Sequence, residues 1–171
     1  MKKLMVINKM TKEEIYKYLN DREINYEITN HQAVYNMDDL DSVDLPYKEF
    51  DAKNLFVRDD KKNNYYLITV KGDKRVDLKE FRKKYNTRPL SFAKEEELLD
   101  ILNFTPGSVS PLGLLSDKEK KTFFFLDNYF KDDFLIGIHP NDNTATIWLK
   151  TKDLIAVIEE HGNQVNKVDI S

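Results

Sequence analysis

The 171-residue chain contains no cysteine. That absence removes disulfides, thiolate nucleophiles, Cys-ligated zinc and iron–sulfur clusters, and it fits a reducing compartment. Glycine and proline are scarce, five of each and thinly spread. No Gly/Pro/Ser linker, low-complexity tract or internal repeat divides the chain, so one domain over residues 1–171 is expected. Long apolar runs are missing as well. Stretches such as residues 123–126 are far short of the ~18 residues of a membrane span. The opening MKKLMVINKM holds only four consecutive apolar residues, Leu4 to Ile7, where a secretory h-region needs ~7–15. A soluble, cytoplasmic protein with no membrane partner is expected. Nor is there an excess of basic charge: 27 basic against 30 acidic side chains give a net charge of −3. That balance disfavours a general DNA-coating protein but leaves room for a local nucleic-acid patch. What is present suffices for a core, with 40% hydrophobic and 12% aromatic residues arguing against disorder.

Along the chain, Thr11-Lys12-Glu13-Glu14 is a capping-box pattern, followed by Ile15, Tyr18 and Leu19 at helical spacing. Ile24, Tyr26 and Ile28 then alternate with polar residues as in a strand. The acidic stretch 31–50 is irregular, with a short helix expected over 37–43. Residues 54–58 and 65–70 are aromatic and β-branched and flank a polar turn, which predicts a hairpin. Leu78, Phe81 and Tyr85 mark a basic amphipathic helix, and residues 94–102 an acidic one. Strands are expected at 122–126, 134–138 and 144–149. A last helix is expected to be capped by Thr151 and to stop before Gly162. Strands in blocks, with helices between and around them, predict an α+β fold whose sheet is mixed and mostly antiparallel. Regular βαβ alternation of the Rossmann kind is absent.

The three histidines, His31, His139 and His161, show no His-x-x-x-His spacing, so no metal and no cofactor is expected. There is no Gly-x-Ser-x-Gly elbow and no Gly-x-x-x-x-Gly-Lys phosphate loop. One charge pattern stands out. Residues 71–88 carry eight basic side chains against three acidic ones. Lys74, Arg75, Lys79, Arg82 and Lys83 are either a solvated helix face or a surface that positions a phosphate backbone. Lys53 and Asn54 stand before an apolar strand, where a lysine is an ordinary edge residue or a three-proton donor to a phosphate or oxyanion. The segment His139-Pro140-Asn141-Asp142-Asn143-Thr144 is either a plain turn or a polar pocket wall. The segment Gly107, Ser108, Val109, Ser110, Pro111 is a connection or a place where backbone N–H groups meet a ligand.

Five segments occur in order: Lys53-Asn54-Leu55-Phe56-Val57-Arg58-Asp59, Arg75-Val76-Asp77-Leu78-Lys79, Leu90-Ser91-Phe92-Ala93, Pro106-Gly107-Ser108-Val109-Ser110-Pro111, and His139-Pro140-Asn141-x-Asn143-Thr144-Ala145-Thr146. Together, and with the earlier His31-Gln32-Ala33-Val34, they resemble the prolyl-tRNA editing family, the ProX/YbaK-type aminoacyl-tRNA deacylases related to the editing insertion of bacterial prolyl-tRNA synthetase. The resemblance runs from about Thr11 to the end of the chain. It implies a partly barrel-like sheet and hydrolysis of the ester joining a wrong amino acid to the tRNA 3′ adenosine. The Lys53 and His139 segments are closer to the alanine-specific than to the cysteine-specific branch, which implies Ala-tRNA(Pro) as substrate. Cys-tRNA(Pro) or another small aminoacyl-tRNA is the rival substrate, and a non-catalytic tRNA- or synthetase-binding module the rival class. Prolyl-tRNA synthetase or an elongation factor is a further candidate partner.

By the same resemblance, Lys53 matches the essential lysine, with Asn54 beside it. Gly107, Ser108, Val109, Ser110 and Pro111 match a Gly-x-x-x-Pro pocket loop. His139 matches the pocket histidine, and Asn143 and Thr144 fall within its motif. Residues 47–52 lack a glycine common in the family. Leu112 and Leu115-Ser116-Asp117 replace a usual Phe and an Asn-Asp pair.

Overall fold

The capping box forms as the sequence predicts. In the computed structural model, which describes residues 10–33, 43–102, 104 and 108–170, the Thr11 hydroxyl accepts from the Glu14 N–H and the Glu14 carboxylate accepts from the Thr11 N–H. Helix α1, Lys12–Asp21, follows and buries Ile15 and Leu19 on one stripe. Strand β1 is Tyr26–Asn30. The short helix expected over 37–43 falls almost wholly outside the described residues.

The predicted hairpin comprises β2, Ala52–Asp59, and β3, Tyr65–Lys71, paired antiparallel from Ala52↔Lys71 to Arg58↔Tyr65. Its turn is held by the Asp59 carboxylate, which accepts from the Lys61 and Asn63 N–H groups and the Asn64 amide. Helix α2, Leu78–Tyr85, is capped by Asp77 and closes at Asn86 in the left-handed region, φ 57°. Then come β4, Leu90–Phe92, and α3, Glu95–Leu102. The remaining elements are β5, Thr122–Asp127, β6, Leu135–Ile138, β7, Ala145–Lys150, α4, Thr151–His161, and β8, Val165–Val168.

The strands form two sheets, β1-β7-β6 and β4-β2-β3-β5-β8. The first is antiparallel throughout. In the second, β3–β5 and β5–β8 pair in parallel. The α+β expectation therefore holds, with a mixed, mostly antiparallel sheet. Among the described residues the barrel is not closed: a single isolated parallel bridge joins Asp51, just before β2, to Gly137 of β6. The parallel β3–β5 pair requires a crossover, which α2, β4 and α3 supply.

The cap of the last helix differs from expectation. Lys150, not Thr151, is the N-cap of α4, and Thr151 is the first helical residue. The reason is a buried acceptor: both the hydroxyl and the N–H of Thr151 donate to the Phe134 carbonyl at 3.0 and 2.9 Å.

Side-chain alternation divides the packing. Ala52 and Phe56 of β2, Ile136 and Ile138 of β6, and Ile147 and Leu149 of β7 meet α1, α3 and α4 in the main core. On the other side of the five-stranded sheet, Val57, Ile68, Val70 and Phe125 pack on Phe81 of α2. On the corresponding side of the three-stranded sheet lies Trp148, fully buried beside Leu45. Gly137 faces that ring, and a Cβ there would stand 2.3 Å from it. Gly137→Ala is expected to cost about 1–3 kcal/mol through overpacking. Thermal unfolding reads this as a Tm loss of a few degrees, and an unchanged Tm would show that the ring can move.

Candidate active site

The alternation along β2 decides where its first residues point. Ala52, Asn54 and Phe56 face the main core, and Lys53, Leu55 and Val57 the outer side. Lys53 and Asn54, adjacent in sequence, therefore serve different surfaces. Asn54 ties β2 to the loop beneath. Its amide donates to the Val109 carbonyl at 3.4 Å, and its carbonyl accepts from the Thr69 hydroxyl. In that loop Ser108 and Ser110 are buried. The Ser110 hydroxyl accepts from the Leu112 N–H and starts a 3-10 turn, Pro111–Ser116. Gly107, expected to open the loop, lies outside the described residues.

Along β6, Ile136 and Ile138 enter the core, so Gly137 lies on the outer side, and His139 follows directly after the strand. The Asp51↔Gly137 bridge sets the register between the sheets. Lys53 and His139 each follow two residues beyond it, Lys53 within β2 and His139 just past the end of β6. The bridge brings together the two chain segments that carry the lysine and the histidine singled out in the sequence.

The His139 Nδ1–H donates to the Ala145 carbonyl at 3.0 Å, because a carbonyl can only accept, which leaves Nε2 as the lone-pair nitrogen. Burial holds His139 below the usual histidine range. The Ala145 hydrogen bond opposes that shift, and nearby His31 reinforces it. The ring is thus neutral at pH 7, an acceptor at Nε2. His31 lies with its ring centroid 6.2 Å away, bonded to the Gln32 carbonyl at 2.8 Å and the Thr146 hydroxyl at 2.9 Å. His31 belongs to a segment that carries the family resemblance but is not among the site residues expected from the sequence. Only the pairing of β1 with β7 brings it to His139.

The 139–144 segment does much of what a plain turn does. Both the N–H and the hydroxyl of Thr144 donate to one Asp142 oxygen, and the hydroxyl accepts from Lys12 Nζ at 3.1 Å. Asn141 adopts φ 62° and is buried, its amide donating to the Met10 carbonyl at 3.3 Å. Asn143 is half-buried in the same turn.

Lys53 is half-buried, and among the described residues its ammonium has no hydrogen bond or ion pair. Burial, then the charge of Arg75, holds its pKa below the usual lysine value, while Asp73 acts the other way. Two residues earlier, the Asp51 carboxyl is 6% exposed. Burial pushes its pKa up to about 7, against the opposing pull of the Ala52 N–H and Lys48.

The basic segment resolves into two groups. Lys74 is turned inward, with Nζ 2.7 Å from buried Asp127 and 2.7 Å from the Ile170 carbonyl. Arg88 is paired with Asp60, Lys84 with Asp169 and Lys71 with Asp73. Arg75, Lys79 and Arg82 are exposed and have no ion pair among the described residues, and Lys83 has only a loose one to Glu80 at 3.6 Å. A cleft of about 970 Å³ runs along α2, bounded by Arg75, Phe81, Lys83, Tyr85, Asp169 and Ile170. It does not include His139. Arg75 lines it and Lys53 does not. Among the described residues no three His, Asp or Glu side chains form a metal-binding group, and no helix is long and apolar enough to cross a membrane.

This arrangement offers an unpaired ammonium donor and a neutral imidazole acceptor on two segments joined by one bridge, and exposed cations on α2. Residues 31–157 match the model of the aminoacyl-tRNA editing domain. The chain belongs to that family. It is 32% identical to the prolyl-tRNA editing protein ProX of Acetoanaerobium sticklandii, over 93% of this chain and 97% of ProX. It is 29% identical to the mouse prolyl-tRNA synthetase associated domain-containing protein 1, over 88% of this chain and 90% of that one. The crystal structure of a candidate trans-editing enzyme for prolyl-tRNA synthetase superposes with TM-score 0.69 at 21% identity, covering 94% of this chain and 96% of that one. At that identity the likeness bears on the fold alone. Family membership and the α+β architecture agree with what the five ordered motifs imply.

Proposed function

We propose that this editing-domain protein is a trans-acting deacylase that cleaves alanine from tRNA(Pro) and spares proline by pocket size, with residues 1–171 acting as one domain. The observation that carries it is the unpaired, half-buried Lys53 ammonium, two residues past the bridge that joins its segment to that of neutral His139. The relation to ProX over 97% of that protein's length supports prolyl-tRNA as the substrate class.

The ester of an aminoacyl-tRNA is already activated, so water suffices as nucleophile. Its oxygen adds to the carbonyl carbon. The 3′ oxygen then departs with a proton, giving free amino acid and the tRNA hydroxyl. The protein supplies positioning and charge stabilisation. Lys53 donates to the terminal adenosine phosphate or to the developing oxyanion. The loop through Ser108, Val109, Ser110 and Pro111 holds the aminoacyl end, and His139, uncharged, shapes the pocket. Steric exclusion is the economical device here. A synthetase pocket made for proline rejects alanine by only about 1–3 kcal/mol, whereas a second, smaller pocket can refuse proline outright.

The test is hydrolysis of alanyl-, cysteinyl- and prolyl-tRNA bearing the proline anticodon. Loss of alanine alone is expected. Loss of cysteine instead would move the chain to the sister specificity, and no turnover with tRNA binding intact would make it a binding module. The exposed cations of α2 meet the tRNA backbone in this proposal. Lys79→Gln/Arg82→Gln/Lys83→Gln should therefore weaken tRNA binding and flatten its dependence on log salt by about 0.9 for each phosphate no longer neutralised. An unchanged slope would remove α2 from the interface.

A further inference from the structure

One of the five ordered motifs, Leu90-Ser91-Phe92-Ala93, has no part in the chemistry above, yet it holds the most exposed large apolar side chain among the described residues. Phe92 is 61% exposed. Its side of the sheet is fixed twice. Phe92 pairs with Val57, so the two side chains share a face, and Val57 packs in one cluster with Phe81 of α2. Leu90, two residues earlier, packs against the same cluster, whereas Ala93 packs against the main core. Helix α2 and strand β4 are in contact. Phe92 therefore stands on the α2 side of an outermost strand, with its ring in solvent.

Helix α2 has two flanks. Glu80, Lys83 and Lys84 line the cleft toward Asp169 and Ile170, the residues that follow β8. Strands β8 and β4 are opposite edges of the sheet. The helical period puts Lys79 and Arg82 on the flank away from the cleft, toward β4. Both are exposed and have no ion pair among the described residues. Glu80, the one carboxylate within α2, is on the cleft flank.

An exposed ring with two free cations beside it fits a ligand that has a flat apolar face and negative charge, which is an unpaired base with its phosphates. A protein partner fits poorly. One ring is far less than the ~800 Å² that each partner buries in a stable interface, and a three-residue edge strand behind Pro89 offers little backbone to pair with. The other exposed large apolar side chains, Ile28 and Leu99, belong to β1 of the other sheet and to α3, which packs on the main core.

We propose that Phe92 is a stacking platform for an unpaired base near the 3′ end of the bound tRNA, with Lys79 and Arg82 on the adjoining phosphates. Lys53 lies four residues back along β2 from Val57, about 13 Å at the rise of a strand. The ring thus takes a base upstream of the nucleotide that carries the ester. That the RNA is a tRNA rests on the deacylase reading. The platform itself rests on the ring and the two cations.

The probe is uncharged tRNA(Pro), intact or trimmed of its unpaired 3′ nucleotides, titrated into the full-length protein. Phe92→Ala should weaken binding of the intact tRNA about tenfold, the usual scale for losing one base–aromatic stack, and leave the trimmed tRNA bound as by the wild type. No charge is removed, so the salt slope should stay as it is, unlike that of the α2 glutamine variant. Phe92→Tyr should keep the affinity and Phe92→Leu should not, which separates stacking from apolar contact.

An equal loss on both tRNAs, no loss on either, or wild-type affinity in Phe92→Leu overturns the platform. So does a dimeric wild type that Phe92→Ala turns into a monomer with tRNA affinity unchanged, because the ring is then a contact between copies of the chain. The deacylase reading fails separately, since the probe carries no ester. Intact tRNA held through Phe92 with alanyl-tRNA left uncleaved keeps the platform and ends that reading. Cleavage with unchanged KM in Phe92→Ala does the reverse.

Discussion

Replacing Lys53 with alanine is expected to lower the rate of alanyl-tRNA hydrolysis by at least ~10²–10³, the usual cost of losing one well-placed donor to a developing oxyanion. The fold should survive. Lys53 is half-buried, and its ammonium has no hydrogen bond or ion pair among the described residues, so its removal strands no partner. Its depressed pKa shows that burial and Arg75 disfavour the charge where it stands. Deleting it should therefore leave stability within about 0.5 kcal/mol of the wild type. A side chain that costs the protein something in the free state and is indispensable to the reaction is bound to substrate, not to the scaffold. Single-turnover hydrolysis and thermal unfolding on the same preparation check both halves. Wild-type activity in Lys53→Ala would remove the lysine from the mechanism. A large Tm loss would make it a structural residue.

The second large effect is on stability, at Asp51. Its carboxyl is buried, with a pKa of about 7 in the folded protein against an ordinary 3.8. Between those pH values the folded protein keeps a proton that the unfolded chain has released. Stability from this group is therefore greatest below about pH 4, falls as pH rises, and levels off above about pH 7. At about 1.36 kcal/mol per pH unit the gap amounts to about 4 kcal/mol at most. Asp51→Asn keeps the shape and cannot ionise. Urea unfolding should find the variant more stable than wild type by several kcal/mol at pH 8 and equal to it near pH 4. Asp60, Asp73, Asp132 and Asp169 are held below the usual carboxylate range by their cationic partners. They slope the opposite way but are common to both proteins, so the difference isolates Asp51. A stability difference independent of pH would refute the assignment.

Much of the fold was written locally. The Thr11–Glu14 capping box, the alternation through Tyr26 and Ile28, the Asp59–Asn64 turn and the stripe of Leu78, Phe81 and Tyr85 each carry their own start, stop or period. The helices and strands appear there with small shifts in their ends. Strands β4 and β8, Leu-Ser-Phe and Val-Asn-Lys-Val, were not legible. They are too short to show a period, and as outermost strands of the five-stranded sheet they exist because β2 and β5 offer them an edge. The cap of α4 was misplaced for a similar reason. Thr151 turns to the Phe134 carbonyl, an acceptor that only the packed sheet presents.

The site divides in the same way. Lys53, His139 and the ordered motifs around them identify an aminoacyl-tRNA editing domain from the sequence by itself, because motif order and residue type survive without coordinates. The two-residue period of β2 already separates Lys53 from Asn54, a signal present in the sequence once the strand is assigned. What only the tertiary structure decided is which surfaces meet. The Asp51↔Gly137 bridge brings the Lys53 and His139 segments together, and the pairing of β1 with β7 brings His31 to His139. These juxtapositions join segments far apart in the chain. They are fixed by strand register and by the burial of Asp51 and Trp148, quantities that no local window of sequence contains.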